Sequence, residues 1–359
     1  MKRSFLILTV LTLLALLVVV FAPEDGSLQQ AETDTLFLPG ILEQVNEVNR
    51  VEIIIAANRT VATLVKEANS WQVEQMDGYR ANWPALQTLL AALAQARVQE
   101  QKTDKPEYYA RLGVEGVDAE NAGSVLLRIS VGDQTTAILV GREAQGRSGQ
   151  YVRLQDAQGS VLLDRNLDVS TEQLDWVDSR IVDVNASEVA EVEIIHPESE
   201  RLFVTRISAD QTDFDLVGLP LDREIKSSWA VNSLGSVFSL LDMNTARSVE
   251  SVDWSNAVKI RMLLFSGVEI LADLVEIDDE YLLRLHASHP AANVVGSPPG
   301  ESEISIEQQD IEKRAEEDVA TTVEGINRKV TGWAYGISSQ KYDAMVKKPE
   351  DLLKPVESS

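Results

Sequence analysis

The chain has 359 residues, and its 44% hydrophobic content is enough to build packed cores and argues against wholesale disorder. Its net charge of −25 arises from 57 acids and 32 bases, and divides into −8 over residues 1–181 and −17 over residues 182–359. Such a surface repels phosphate backbones, so DNA and RNA are not expected as partners. The absence of cysteine excludes disulfides and a lipid-modified cysteine, so stability must come from buried apolar area.

Residues 1–22 predict a transmembrane signal-anchor. Two basic residues precede an apolar run from Phe5 to Ala22, which as a helix spans roughly 27 Å, close to the hydrocarbon thickness of a bilayer. Acidic residues follow the run, so we expect a cytoplasmic amino terminus and a body in the periplasm of a bacterial cell. A cleaved signal peptide is the alternative. The length of the run and Pro23, directly after its only small-residue exit, favour the uncleaved anchor.

The chain beyond the anchor indicates an internal duplication. Val51-Glu52-Ile53-Ile54 recurs as Val192-Glu193-Ile194-Ile195 at an offset of 141 residues. Two further pairs follow in the same order: Val125–Ile129 with Val258–Met262, and Tyr151–Leu154 with Tyr281–Leu285. Because a common order is harder to obtain by chance than one match, duplication is favoured over chance similarity between strands.

The predicted organisation is a linker and leading strand at 23–44, a first α+β repeat at 45–181, a second at 182–346 with a loop and helix insertion at 288–330, and a polar tail at 347–359. Period-two alternation predicts strands near 51–56, 61–65, 71–75, 189–195, 201–207 and 213–217, and hairpins over 125–163 and 258–286. Apolar stripes predict helices at 82–97, 228–242 and about 304–329, followed by a strand at 333–337 and a helix at 339–346. Since strands outnumber helices and adjoin in sequence, the expected fold class is α+β with mainly antiparallel sheets.

No catalytic, cofactor-binding or metal-binding residue is predicted. His286 and His289 form an H-x-x-H pair, but at a strand end beside a proline-rich loop, and His196 lies in a separate turn. The many carboxylates match a solvated acidic surface, and the glycines and serines form neither a phosphate-binding loop nor a nucleophile elbow. Most of the six tryptophans are expected in the cores.

The order of these segments resembles the bacterial domain-of-unknown-function family 4340, whose members are uncharacterised envelope proteins. The residues that carry the resemblance are Leu36–Gly40, Val45–Ile53, Trp71–Tyr79, Lys102-Thr103, Tyr108–Val114, Gly149–Arg153, Asp175-Trp176, Trp333–Ile337 and Lys341–Met345. The resemblance implies a link to ABC-type or gliding-type transport systems, and it supplies no catalytic residue.

The expected function is therefore a non-catalytic accessory or scaffolding component of an ABC-type transport system, held in the inner membrane by residues 1–22 and contacting a membrane protein such as an ABC permease. Two alternatives remain open. One is a periplasmic ligand-binding module, and the other is an envelope glycan hydrolase that uses a carboxylate pair.

Overall fold

The structure is a computed structural model that describes residues 35–68, 70–289 and 306–355. The predicted anchor at 1–22, much of the 23–44 segment and most of the loop at 288–303 lie outside these residues. Among the helices that the structure does describe, none combines the length and apolar character needed to cross a membrane. The longest, Ile306–Val330, is rich in charged residues.

The expected α+β class with mainly antiparallel sheets is confirmed. A nine-stranded sheet has the order β4-β3-β2-β1-β6-β7-β8-β9-β5, an eight-stranded sheet has the order β13-β12-β11-β16-β17-β18-β19-β15, and β10 pairs with β14. The strand pairs whose registers are resolved, from β1–β6 to β18–β19, are antiparallel. Apart from β4, which has no counterpart among the described strands of the second sheet, the two sheets have the same strand order: each strand of the first sheet corresponds to the strand of the second sheet whose number is higher by ten.

The elements follow the predicted pattern closely. The strands are β1 Val48–Ile55, β2 Arg59–Glu67, β3 Ser70–Val73, β4 Tyr79–Arg80, β5 Val98–Gln101, β6 Val125–Val131, β7 Gln134–Glu143, β8 Gln150–Leu154, β9 Ser160–Leu163, β10 Arg180–Val182, β11 Val189–Ile195, β12 Arg201–Thr205, β13 Asp215–Leu216, β14 Leu241–Asp242, β15 Thr245–Ser248, β16 Val258–Leu264, β17 Glu269–Ile277, β18 Glu280–Ser288 and β19 Trp333–Ile337. The helices are α1 Pro39–Gln44, α2 Trp83–Gln95, α3 Tyr109–Leu112, α4 Ser228–Asn232, α5 Ile306–Val330, α6 Ser339–Met345 and α7 Pro349–Leu352.

Helix α2 forms where the sequence predicts it. Its amino terminus is capped by Asn82, whose Oδ1 accepts a hydrogen bond from the Ala85 amide at 3.2 Å. Pro84 occupies the first turn, where its missing N–H costs no helical hydrogen bond. The stripe is buried at Leu86, Leu89, Leu90, Leu93 and Ala94. A polar start and an apolar stripe therefore suffice to fix this helix.

The predicted helix over 228–242 is wrong beyond its first turn and a half. Helix α4 ends at Asn232, a 3-10 turn covers Ser233–Ser236, and Leu241 begins β14. Gly235 lies against the Phe214 ring so closely that an added Cβ would be 2.7 Å from Cε2. Leu240 has a φ of 45°, which a continuing helix does not allow. Close packing against Phe214 and pairing of β14 with β10 thus override the apolar periodicity.

The described chain divides into two compact units. One contains the chain up to Val61 together with Gln87–Thr171, and the other contains Ala62–Leu86 together with the chain from Glu172 onward. The first unit buries Val51, Ile53, Leu127 and Ile129 on one face of its strands, and the second buries Val192, Ile194, Ile260 and Met262 in the same alternation. Each unit therefore has its own sheet core.

Candidate functional site

The three histidines lie apart in the structure. His196 is buried and its Nε2 lies 3.2 Å from the carbonyl oxygen of Lys347, His286 is exposed on β18, and the Nδ1 atom of His289 lies 3.0 Å from the carbonyl oxygen of Gly267. Within the described ranges, no group of three or more His, Asp or Glu side chains is placed to hold a metal ion.

The tryptophans depart in part from their expected burial. Trp71 and Trp176 are in the core, but Trp83 and Trp229 are 47% and 77% exposed. The two exposed side chains belong to the first turns of α2 and α4, and they lie off the apolar face that each helix buries.

A cleft of about 570 Å³ lies on the second sheet. Four adjacent strands, β11, β16, β17 and β18, supply one side, and the turn from α5 into β19 supplies Val330–Trp333. The strands alternate core residues with polar residues, and the polar set faces the cleft because successive side chains of a strand point to opposite faces.

The strand registers set out this face as two rows. Ile195 pairs with Lys259, Lys259 with Asp273, and Asp273 with Arg284, and we call these four residues the open row. The neighbouring row consists of Glu193, Arg261, Leu271 and His286. Opposite charges and apolar side chains therefore lie beside one another, within reach of a single ligand.

Most charged side chains on this face are held in ion pairs with one another or with neighbouring residues. Arg284 binds Asp273 at 2.7 Å, and its guanidinium carbon lies 4.9 Å above the Trp254 ring. Arg261 binds Glu269 at 2.5 Å and Glu191 at 2.8 Å. Burial lowers the pKa of Arg261, but the hydrogen bonds to these two carboxylates outweigh burial and raise the pKa above its ordinary value. Glu193 is paired with Arg201.

Two polar side chains of the cleft differ from these paired groups. The side chains of Lys259 and His286 are exposed, and neither makes a hydrogen bond or ion pair within the part of the chain that the structure describes. Ile195 and Leu271, which are their neighbours in the two rows, are each 37% exposed. An amphipathic group that carries a negative charge would satisfy both kinds of side chain.

A second concavity, of about 540 Å³, lies at the ends of β16 and β17 beside α6 and α7. Its principal groups are already engaged: His196 with the carbonyl of Lys347, Lys348 with Glu200 at 3.1 Å, and Tyr342 against the Tyr281 ring at 4.7 Å. Burial raises the pKa of Tyr342. This concavity offers fewer unengaged polar groups than the cleft.

A buried tyrosine pair in the second unit has a structural role. Tyr79 accepts a hydrogen bond from Arg80 at 2.8 Å, Arg80 also donates to the carbonyl of Lys329 at 2.8 Å, and Tyr335 donates to that same carbonyl at 3.2 Å. The Tyr79 and Tyr335 rings meet edge to face at 5.9 Å, and burial raises the pKa of both hydroxyls. Because each polar group has a partner, the cluster fastens Tyr79 to β19 rather than presenting a reactive group.

Sequence reasoning did not identify the cleft residues. In the sequence, Lys259 and Arg261 are alternate polar positions within the predicted hairpins over 258–286, and the available signal is that four successive strands carry charged residues at such positions. The pairing of Lys259 with Asp273 and Ile195 depends on strand registers, which the period of a single strand does not contain.

Comparison with known proteins identifies the family of this chain. Neither the curated proteins nor the solved structures contain a match to this chain. The family model described as Domain of unknown function (DUF4340) matches residues 71–250, which are half of the chain and include α2, the hairpins of the first sheet and the beginning of the second. This chain belongs to that family, Domain of unknown function (DUF4340).

Proposed function

We propose that this protein is a non-catalytic accessory component of an ABC-type transport system, anchored in the inner membrane and acting through binding. The observation that carries the binding role is the cleft of the second sheet, where Lys259 and His286 are unpaired beside the exposed Ile195 and Leu271. The association with transport rests on the resemblance to the family and on the composition of the chain. The partner we propose is a membrane protein such as an ABC permease.

The anchor supplies the mechanism of such a component. Residues 1–22 have the charge flanks and apolar length of an uncleaved span, with the body directed to the periplasm. A body tethered to the bilayer encounters a membrane partner at a far higher effective concentration than a free body does. Confinement therefore strengthens an association that has only a modest intrinsic affinity.

We further propose that the body is a duplication, with repeats at 45–181 and 182–346. The matching strand orders support this, and so do the registers. Val51 pairs with Ile129 in the first sheet, and Val192 pairs with Met262 in the second, which are the positions that the sequence similarity aligns. Arg153 lies under Tyr109 at 4.3 Å, and Arg284 lies under Trp254 at 4.9 Å.

The arrangement of acids favours binding over glycoside hydrolysis. A hydrolase of that kind needs one carboxylic acid that delivers a proton and a second carboxylate across the scissile bond. In the cleft, one oxygen of Asp273 accepts from Arg284 and one oxygen of Glu193 accepts from Arg201, so both acids are held in ion pairs rather than presented as a free pair across a substrate. A periplasmic ligand-binding module remains the second candidate because the cleft has the size of a small-molecule site.

The experiment is cross-linking of tagged full-length protein in living cells, followed by mild solubilisation and identification of the co-purified proteins. We expect an ABC permease or its ATPase, and we expect recovery to be lost when residues 1–22 are deleted while circular dichroism shows a folded body. Equal recovery without the anchor would contradict the tethering role. Recovery of this protein alone would contradict the transport role.

A further inference from the structure

Four equivalent positions on the outer faces of the two sheets differ in burial. In the first sheet, the row equivalent to the open row is Ile54, Leu126, Leu139 and Arg153, paired in that order across β1, β6, β7 and β8. All four of these side chains are buried. In the open row, Ile195 and Lys259 are exposed. The two sheets therefore differ in whether this row is covered.

The cover of the first sheet is a segment of the chain itself. Val117 packs on Ile54, Leu126 and Leu139, and its carbonyl accepts a hydrogen bond from the Asn58 amide at 3.0 Å. The same segment supplies the carbonyl of Val114, which accepts from Arg153 at 3.0 Å. An irregular segment of bends and turns thus lies across the row, with an apolar side chain on the leucines and a carbonyl oxygen on the arginine.

Among the described residues, the second sheet has no such cover from the corresponding connection, which is shorter. Residues 102–124 join β5 to β6, whereas residues 249–257, less than half as many, join β15 to β16. The short connection brings Val252 and Trp254 onto Ala257, Val275 and Leu282. Trp254 contacts the Arg284 end of the open row, while Ile195 and Lys259 at the other end are exposed.

The residue types of the open row changed together with the loss of the cover. Lys259 lies where the first sheet has Leu126, and Asp273 lies where it has Leu139. The two buried leucines of the first sheet form an apolar contact with a valine side chain. In the second sheet, an unpaired lysine beside an ion-paired aspartate favours binding of a carboxylate instead.

We propose that the open row binds an acidic segment of a partner protein, which takes the place that Val117 and its neighbours occupy on the first sheet and sets an acidic side chain over Lys259. This inference rests on the binding role proposed above and names the chemistry of its partner. The apolar contact is made by Ile195 and Leu271, and Arg284 offers its outer N–H groups to backbone carbonyls, as Arg153 does in the first sheet.

The approach of that segment is restricted on one side. In the first sheet Gly141 lets the cover pass so closely that an added Cβ would be 2.4 Å from the carbonyl oxygen of Leu112. The registers place Val275 at the matching position of the second sheet, under Val252 and Trp254. The bound segment therefore reaches Lys259 from the side of Ile195.

The test uses two acetylated and amidated hexapeptides as probes. One copies residues 115–120 of this chain, Glu-Gly-Val-Asp-Ala-Glu, and the other has glutamate in place of its valine. Full-length protein with labelled isoleucine methyl groups is titrated with each peptide. Ile195 is the reporter, and Ile207, which is 90% exposed in the same unit, is the control.

We expect both peptides to shift the Ile195 methyl signal and not that of Ile207, with about fivefold tighter binding of the glutamate peptide because one new ion pair forms. Lys259→Leu should reverse the preference, since it restores the residue type of the covered row. Lys66→Leu, a change to an exposed lysine of β2, is the matched control and should leave the preference unchanged.

No shift at Ile195 with either peptide would overturn the inference, and so would an unchanged preference in Lys259→Leu. A response that appears only after residues 290–305 are deleted would assign the open row to the chain's own segment. Peptide binding does not depend on a transporter, so the two proposals can fail separately. No peptide binding together with a recovered permease would contradict the open-row inference and leave the proposed function intact. Peptide binding without a recovered permease would support the open-row inference and contradict the transport role.

Discussion

Arg153 and Arg284 show how one strand position serves two purposes. Arg153 is 8% exposed, and it donates to the carbonyls of Val114, Leu154, Gln155 and Ala157. Burial lowers its pKa, although an arginine stays charged in a protein. Arg284 has a side chain that is 41% exposed and pairs with Asp273. The first arginine therefore stabilises turns, and the second remains available to a ligand.

Replacement of these arginines should separate the two roles. We expect Arg153→Met to lower the free energy of unfolding by about 3 kcal/mol, because several buried carbonyls lose their donor. Arg284→Met should cost only about 0.5 kcal/mol, since it removes a half-exposed ion pair. Urea unfolding of the full-length protein measures both values. Equal losses would contradict the distinction between the two positions.

Glu52 should make stability depend on acid pH. Burial raises its pKa, but the hydrogen bonds from Arg50 at 2.8 Å and Arg128 at 3.3 Å outweigh burial, and the net pKa lies below the ordinary value of 4.5. A depressed folded pKa gives stability that is present above the unfolded value and is lost as the pH falls through the folded value.

Glu52→Gln should therefore destabilise the protein by about 0.5–1 kcal/mol at pH 7, and the difference should disappear well below the ordinary carboxyl pKa. Unfolding midpoints of the variant and the unaltered protein at pH 7 and at acid pH provide the comparison. Glu143→Gln, at an exposed position, is the control. A difference of the same size at both pH values would show that Glu52 acts through packing alone.

At the scale of elements, helix α5 is docked on β18 by one side chain. Asn327 accepts a hydrogen bond from the Ala287 amide at 2.8 Å and donates to the Ala287 carbonyl at 2.7 Å. Val319 and Val330 are buried on the same helix stripe, while most of its other described residues are exposed. A charged helix with a narrow apolar stripe thus depends on this clamp at the strand end.

Removal of the clamp should be detectable at a single amide. We expect Asn327→Ala to cost about 1–2 kcal/mol locally and to speed hydrogen exchange of the Ala287 amide by roughly tenfold. Thr321→Ala, which removes an exposed hydroxyl bonded to the Glu317 carbonyl at 2.8 Å, is the control on the same helix. Unchanged exchange at Ala287 in Asn327→Ala would contradict the clamp.

Periodicity in the sequence predicts most elements but not the cleft. Alternation is visible along one strand, so β11 at Val189–Ile195 and β19 at Trp333–Ile337 match their predicted ranges. The helix over 228–242 fails because the close contact of Gly235 with Phe214 is a tertiary constraint. The open row needs the registers of four strands and the length of one connection, and neither is a local property.

At the scale of the molecule, the two sheets share a strand order while their outer faces differ. The first sheet covers its row with residues of its own long connection, and the second leaves the row open. If the proposed duplication and binding role hold, the first repeat serves stability at this row and the second serves binding. Residues 182–359 carry a strong negative net charge, so the unpaired Lys259 side chain is a local exception, and its charge favours an acidic side chain at that one position.

The central claim is that this cleft binds a component of a transport system, and photo-cross-linking tests it most directly. A photoreactive phenylalanine derivative is placed at Leu271 in the cleft or at Ile207 outside it, in full-length protein in living cells. We predict that Leu271 yields an adduct with a membrane protein of an ABC-type transporter, and that Ile207 does not. The same products from both positions, or adducts of this protein with itself alone, would contradict the account.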